Sequence, residues 1–485
     1  MASNSGGLSA MGNTMSNGLN RLNTRTKLIA GALALVMAGV SHAGTQVGGG
    51  ATLPSLLYVG SAAANPSTPQ LTDASVTNPP SYVGAIASGS LLGVYDSTNG
   101  TTSSYCLTGS GSGKNILAGI TNNSVQDVCP TSGTSPVLHG FGAPVVSRTD
   151  LTQPNFAAAD APLSQADFSN YTGNHGGSLP VQFPVVVGAV AIAFNLTDST
   201  GAQVTSSEVN FSDLQVCQIF SGQITNWSDS RLANAFTLTA GVTIPSSAIN
   251  VQYRKDGSGT SFSFSNHLSA VCAAAGLSGG PFEANQAFVG ASPAVTSNFF
   301  TTAPSGWTGS SGNAGVAAAI GSTASSIGYV ELANAQATNP GLQFGSVNGK
   351  SPVSNFSVSS ITGSSIAFNQ VISSTNNTNG TPALTAISPA PTTQCIAIVR
   401  PNKYAAPSST LGSIVPVGSY PIVAVSYFLG NSTGNGSDQA TTQGLVTSPY
   451  NSAITSHVTA VGGLQFIGLG SNSFTSSQVS GCYGL

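Results

Sequence analysis

The chain has 485 residues, 40% of them hydrophobic and only 5% charged, with 11 Lys and Arg against 14 Asp and Glu. That is enough length for roughly two or three domains with real cores, at a charge density far below the roughly 25% of an ordinary soluble domain. So few basic residues exclude a binder of nucleic acid, which needs dense Lys and Arg to neutralise phosphates; Gly, Ser, Thr and Asn carry the solubility instead, as suits an exported or cell-surface protein.

The chain opens on export signals. Arg21, Arg25 and Lys27 precede an apolar stretch from Leu28 to Val40, and Ser41-His42-Ala43 offers small residues to a signal peptidase. The 13 apolar residues fall short of the ~20 that span a bilayer. Residues 1–43 are therefore expected to be a signal peptide cleaved after Ala43, leaving no transmembrane segment. The residue directly after that point is Gly44, not Cys, which argues against a lipid anchor. Past Ala43 there remain 8 Lys and Arg against 14 Asp and Glu, a formal charge of −6. An anion bound by such a chain must be held by local donors rather than by a global field.

The first Gly-rich segment, GGGATLPSLLY (48–58), reads as a turn into a helix with Pro54 near its first turn, where Thr52 offers a hydroxyl and an N–H. Polar, turn-rich stretches at 65–82 and 95–104 read as loops. LTGSGSGKNIL (107–117) looks like a nucleotide P-loop, but Thr108 stands where that motif needs Gly and Asn115 where it needs Ser or Thr. It is either an anion turn with Ser110 as donor or a plain flexible turn, and Lys114 is expected to face solvent. In FAAADAPLS (156–164), Asp160 either caps a helix starting at Pro162 or serves a site.

FPVVVGAVAIAF (183–194) is a continuous apolar run, expected to be a strand buried on both faces. INVQYRK (249–255), SSIGYVEL (325–332), CIAIVR (395–400) and YPIVAVSYFL (420–429) read as further strands. Alternation with small-residue helical runs gives an α/β class. The polar stretches 296–313 and 345–394 are expected to be loops or edge hairpins.

YRKDGSGTSFSFSNHL (253–268) carries the most chemistry. A strand ends near Lys255, and an amphipathic helix begins after the glycines, leaving the N–H groups of Ser258, Gly259, Thr260 and Ser261 to cradle an anion. Arg254 adds a planar fork for two oxyanion oxygens. Asp256 can accept the proton that phosphate keeps near neutral pH, while offering sulfate only like charge, which would make it a filter. Its other reading is a helix cap paired with Arg254.

Six cysteines follow Ala43, and an even count in an oxidising compartment reads as three disulfides. Many connectivities are open; sequential pairing, Cys106–Cys129, Cys217–Cys272 and Cys395–Cys482, is the expectation. With no CxxC and five scattered His, no metal or cofactor is expected.

Taken in order, the segments at 48–58, 107–117, 156–164 and 253–268 resemble those of the PstS-like phosphate-binding protein of the bacterial high-affinity phosphate ABC transporter, and of the related DING phosphate-binding proteins. QFPVVVGAVAIAFNL (182–196), IFSGQITNWSD (219–229), GVAAAIGSTASSIGYVELANA (315–335) and YPIVAVSY (420–427) are similar to further landmarks in the same order. The GGGATLPSLLY and GSGSGK segments, and the positions of Cys217 and Cys272, lean toward the DING branch; RKDGSGTSF follows the transporter branch.

The resemblance implies an α/β, two-lobed periplasmic-binding-protein-like fold of type II with the ligand cleft between lobes. Lobe 1 is expected over 44–195 and a return segment 421–485, and lobe 2 over 196–420 with polar insertions, notably 345–394. Carried over position by position, Thr52, Leu53, Ser110, Asp160, Arg254, Asp256, Ser258, Gly259 and Thr260 are the phosphate contacts, with Asp160 accepting the phosphate proton. The implied partners are inorganic phosphate and an ABC permease, for a monomer in the bacterial periplasm or outside the cell. Two other classes stay open: a secreted phosphomonoesterase using Thr52 or Ser258 as nucleophile, and a low-charge cell-surface protein.

Overall fold

The computed structural model describes residues 44–60, 70–71, 86–120, 141, 148, 150–277, 282–290, 300–338, 340–357, 361, 363–378, 380–389, 391–405, 419–467, 479 and 481–483. The expected signal peptide and the expected Cys106–Cys129 pair, through Cys129, lie outside them.

The first sheet is small. β1 (Gln46–Gly49) leads through α1 (Ser55–Tyr58), β2 (Gln70–Leu71) and α2 (Leu91–Asn99) to β3 (Ser103–Cys106) and α3 (Ser110–Leu117). β1 runs parallel to β3, and β2 antiparallel to it. The stretch 95–104, expected as a loop, is largely the end of α2, whose N-cap Ser90 accepts from the Gly93 N–H.

β4 (Phe156–Ala159) and α4 (Gln165–Asn174) lead into β5 (Pro180–Asn195). The helix starts later than Pro162 because Ser164 and Asp167 form a reciprocal capping box; Asp160 therefore has no cap to make. There follow β6 (Asn210–Phe211), α5 (Asp213–Phe220), β7 (Asn250–Arg254), α6 (Gly259–Val271), β8 (Trp307–Ser310), α7 (Gly312–Ser322), β9 (Ser326–Glu331), α8 (Leu332–Ala337) and β10 (Gln343–Val347). The chain returns through β11 (Ile366–Phe368), β12 (Gln370–Asn376), β13 (Pro382–Ala386), β14 (Ala397–Val399), α9 (Pro401–Tyr404), β15 (Val423–Asn431), α10 (Gln439–Thr447) and β16 (Leu464–Phe466).

The large sheet has the order β4-β15-β5-β9-β7-β8, with β10 and β16 also on β5 and β6 on β10. Its two-lobed character comes from β5. Residues 180–189 pair antiparallel with β15, and residues 190–195 pair antiparallel with β9. One strand, buried from Pro180 to Phe194, thus serves both lobes, which explains its unbroken apolar sequence.

The 345–394 stretch forms an antiparallel hairpin, β12–β13, and β11 pairs with β14. The hairpin is tied to the segment after β4 by the Ile372 N–H, which donates to the Leu163 carbonyl at 3.0 Å, and the Gln182 N–H of β5 donates to the Cys395 carbonyl just before β14 at 2.9 Å. Disulfides join Cys217 in α5 to Cys272 just past α6, and Cys395 to Cys482. Among the described residues no helix is long and apolar enough to cross a membrane.

α6 departs from the amphipathic expectation, since every residue from Gly259 to Val271 is buried. Its polar side chains find partners inside: Ser261 with the Tyr329 hydroxyl at 2.6 Å, Ser265 with the Ser261 carbonyl at 2.7 Å, and His267 with Asp213 at 3.2 Å.

Candidate functional site

Strand direction decides where a site can form. In lobe 1 the carboxyl ends of β1, β3 and β4 open toward one another: β1 and β3 are parallel, and Gly50 bridges Ala158 in parallel. In lobe 2, β7 is parallel to both β8 and β9. Ligands of open α/β sheets bind outside such carboxyl ends, and the segments following these strands meet. The Gly111 N–H donates to the Gly257 carbonyl at 2.7 Å, joining the turn after β3 to the turn after β7.

Lobe 1 supplies Thr52, Leu53, Ser110 and Asp160, all buried. Leu53 packs its side chain over Gly188 of β5. Ser110 is not in a flexible turn; it opens α3 directly after Gly109, whose φ of 86° needs glycine. The Ser110 hydroxyl accepts from the Asp160 N–H at 2.9 Å and donates to Asp160 Oδ2 at 3.4 Å. Asp160 Oδ1 is buried without a hydrogen-bond partner. Burial pushes this carboxyl up to about 7, against the opposing pull of the Ser426 hydroxyl, Arg254 and Ser110. A buried acceptor left open in this way is a place for a ligand's O–H.

Lobe 2 supplies the cation and the helix end. Arg254, fully buried, donates from Nε to Asp256 Oδ1 at 2.7 Å and from Nη2 to Asp256 Oδ2, and its Nη1 reaches Thr260 Oγ1 at 3.3 Å. Asp256 Oδ1 also accepts from the Gly312 N–H at 3.2 Å. Of the two readings of Asp256, the pairing with Arg254 is observed, with both carboxylate oxygens engaged by the guanidinium. Burial opposes the Arg254 charge, but Asp256, Tyr329 and Asp160 outweigh it and hold the guanidinium above its usual pKa. With five N–H groups in its inventory, Arg254 retains one on each terminal nitrogen for an anion.

At the start of α6, Ser258 is the N-cap and accepts from the Ser261 N–H at 3.0 Å, while its own N–H goes to the Gln286 carbonyl at 3.0 Å. Gly259 and Thr260 are the first two residues of the helix. A Cβ on Gly259 would lie 2.4 Å from the Asp160 Cβ and 2.5 Å from the Ser110 Oγ. This is where the start of α6 meets the Asp160 carboxylate, so Ser110, Asp160 and Gly259 come together, and Arg254 and Thr260 adjoin them.

Lys114 goes elsewhere. It is buried rather than solvent-facing, in an ion pair of 2.6 Å with Asp167. Sequence reasoning also missed Asn313, the second residue of α7, buried with its Nδ2 donating to Thr52 Oγ1 at 3.1 Å and to Thr260 Oγ1 at 3.0 Å. It lies in the 296–313 stretch read as a loop. The pattern TGSSGNAGVAAAI (308–320) repeats the strand, Gly turn and helix order of 253–268, and that parallel is the signal that could have found it. Ser426, on β15, was missed because it lies inside an apolar run.

Hydroxyls, helix-end N–H groups and one guanidinium surround a single carboxyl with an open oxygen. Such a set fits a tetrahedral oxyanion that still carries a proton. Among the described residues no group of three His, Cys, Asp or Glu could hold a metal.

A family model described as PBP superfamily domain matches residues 62–442. The chain is 28% identical over 330 residues to alkaline phosphatase L of Pseudomonas aeruginosa, covering 68% of this chain and 67% of that protein. It is 34% identical over 181 residues to the phosphate-binding protein PstS of Xylella fastidiosa, covering 37% of this chain and 41% of the relative, and 28% identical over 203 residues to phosphate-binding protein PstS 3 of Mycobacterium leprae, covering 38% and 52%. The chain thus spans about half the length of these two phosphate-binding relatives. In fold it is similar to a phosphate-binding protein from Stenotrophomonas maltophilia, with a TM-score of 0.51 at 22% identity over 90% of this chain and 93% of that one. A DING protein aligns with a TM-score of 0.50 at 20% identity, over 90% and 93%.

Proposed function

This chain belongs to the PBP superfamily, and we propose that it binds inorganic phosphate in the cleft between its lobes, as an exported protein serving phosphate uptake. The observation that carries the reading is Asp160: a buried carboxyl whose Oδ1 lacks a partner, ringed by Ser110, Arg254 and the start of α6. Phosphate brings a proton to that oxygen and acceptor oxygens to the surrounding donors. Sulfate brings no proton and is rejected. Relatives named as phosphate-binding proteins support this ligand.

Thr52, Leu53, Ser110 and Asp160 hold the anion from lobe 1 (44–195 with 421–485), and Arg254, Ser258, Gly259 and Thr260 from lobe 2 (196–420), with Asp256 steering Arg254. Phosphate contacts to both sides favour the closed arrangement. Export by the signal at 1–43, a monomeric state and delivery to an ABC permease complete the proposal. Calorimetric titration of ligand-stripped protein with phosphate and sulfate tests it: phosphate heat without sulfate heat is expected, and a folded sample with no phosphate heat overturns it.

One observation favours a second reading. One relative, matched over 330 residues, is named an alkaline phosphatase, and the Ser110 hydroxyl lies 3.4 Å from Asp160, whose carboxyl burial pushes up to about 7. That hydroxyl already accepts the Asp160 N–H, and among the described histidines His267 is committed to Asp213. Release of p-nitrophenol from its phosphate ester, lost in Ser110→Ala, would establish turnover; absence of release with phosphate binding intact leaves the binding function alone.

A further inference from the structure

A threonine hydroxyl can donate or accept, so two threonines in a cleft do not by themselves select an anion. Something must commit their oxygens. At Thr52 the oxygen accepts from Asn313 Nδ2 at 3.1 Å and from the Asn313 N–H at 3.2 Å. At Thr260 the oxygen accepts from Asn313 Nδ2 at 3.0 Å and from Arg254 Nη1 at 3.3 Å. Each oxygen thus has both lone-pair directions occupied, and what remains on each threonine is its proton.

The amide that does this is itself locked. Asn313 Oδ1 accepts from the Glu331 N–H at 3.0 Å, so a flip would break that bond and turn a carbonyl toward the hydroxyls. Asn313 is completely buried, so an amide turned the wrong way would lose these partners at the cost of burying unpaired polar atoms. Thr52 follows β1 in the first lobe, whereas Asn313 and Thr260 begin helices after β8 and β7 in the second.

We propose that Asn313 is the specificity-determining positioning residue of the cleft: its amide makes Thr52 and Thr260 obligate donors and spans the two lobes with the same group. The inference rests on the phosphate-binding reading and extends it to a residue acting through others. It follows that the two threonines favour acceptor-rich oxyanions only while the Asn313 amide is present.

The test is a double-mutant cycle on the full chain, read by phosphate titration, with melting of the ligand-free variants as the control for folding. Asn313→Ala is expected to weaken phosphate binding about 10- to 100-fold, the value of one or two hydrogen bonds. Thr52→Val, costing about tenfold in the native background, is expected to cost less than about twofold once Asn313 is Ala, because the hydroxyl is then no longer held as a donor. Thr260→Val should behave in the same way. Equal costs of the threonine substitutions in both backgrounds would overturn the inference while leaving phosphate binding in place. No phosphate binding by the native chain would instead remove the reading on which it rests. If Asn313→Ala fails to fold, Asn313→Leu, of matching shape, takes its place in the cycle.

Discussion

At the scale of single residues, the proposed phosphate site assigns both selectivity and pH response to Asp160. Its carboxyl, pushed by burial to about 7, is ionised above neutrality, accepting from phosphate and repelling sulfate. Below about 7 it carries a proton that it can donate to sulfate. The preference for phosphate over sulfate is therefore expected to rise with pH through neutrality, measured by competition titrations from pH 5 to 9. Asp160→Asn is expected to flatten that profile and to weaken phosphate about 10- to 100-fold, the value of one charge-assisted bond; a profile unchanged by the substitution would exclude Asp160 as the discriminating group.

The same residue sets a stability trend. The folded state holds this proton up to about 7, whereas the unfolded chain releases it near 3.8. Between those values the folded state binds more protons, so ligand-free stability falls as pH rises and levels off above 7. The loss at this site is about 4 kcal/mol, and Asp160→Asn should remove it, as melting against pH will show. Asp160 was legible in the sequence as an Asp following a small-residue strand. Asp256 was legible as either a proton acceptor or an Arg254 partner, and only the fold shows that Arg254 engages both its oxygens.

At the scale of elements, α6 joins site and core. Its first residues form the cradle and its last lies next to Cys272, which is bonded to Cys217 of α5. Replacing both cysteines by Ser should lower stability by roughly 2–5 kcal/mol in denaturant titrations, while phosphate affinity in the folded fraction stays close to native. Loss of affinity matching the loss of stability would mean that the disulfide positions the cradle. The strands at 183–194, 249–255, 325–332 and 420–429 could be read because apolar runs of that length have few other fates. The complete burial of α6 could not: its serines look solvent-facing until Tyr329, Asp160 and backbone carbonyls are brought beside them.

At the scale of the whole molecule, the lobes touch where Gly111 meets Gly257. A Cβ on Gly111 would stand 3.0 Å from the Gly257 Cα, so the facing backbone would have to shift by a few tenths of an ångström for Ala and further for a branched side chain. Gly111→Val is thus expected to hold the lobes apart. Phosphate affinity should fall at least about tenfold, and phosphate should no longer contract the particle in small-angle scattering; an unchanged contraction would show that closure does not pass through this contact. β5 ties the two parts of the sheet into one protein, because its two halves pair with β15 and β9.

The sequence by itself determined the α/β class, the strands of the central sheet and four segments rich in Gly, hydroxyls and charge, since these follow from local pattern and turn chemistry. Tertiary structure alone decided which polar groups meet one another. Lys114 turned inward to Asp167, Asp256 to Arg254, and Asn313 came from a stretch that reads as a loop to hold Thr52 and Thr260. The reason is that a polar group's role depends on the partner that meets its lone pair or proton. Those partners lie as far apart in the chain as the 261 positions between Thr52 and Asn313, beyond the reach of any local pattern.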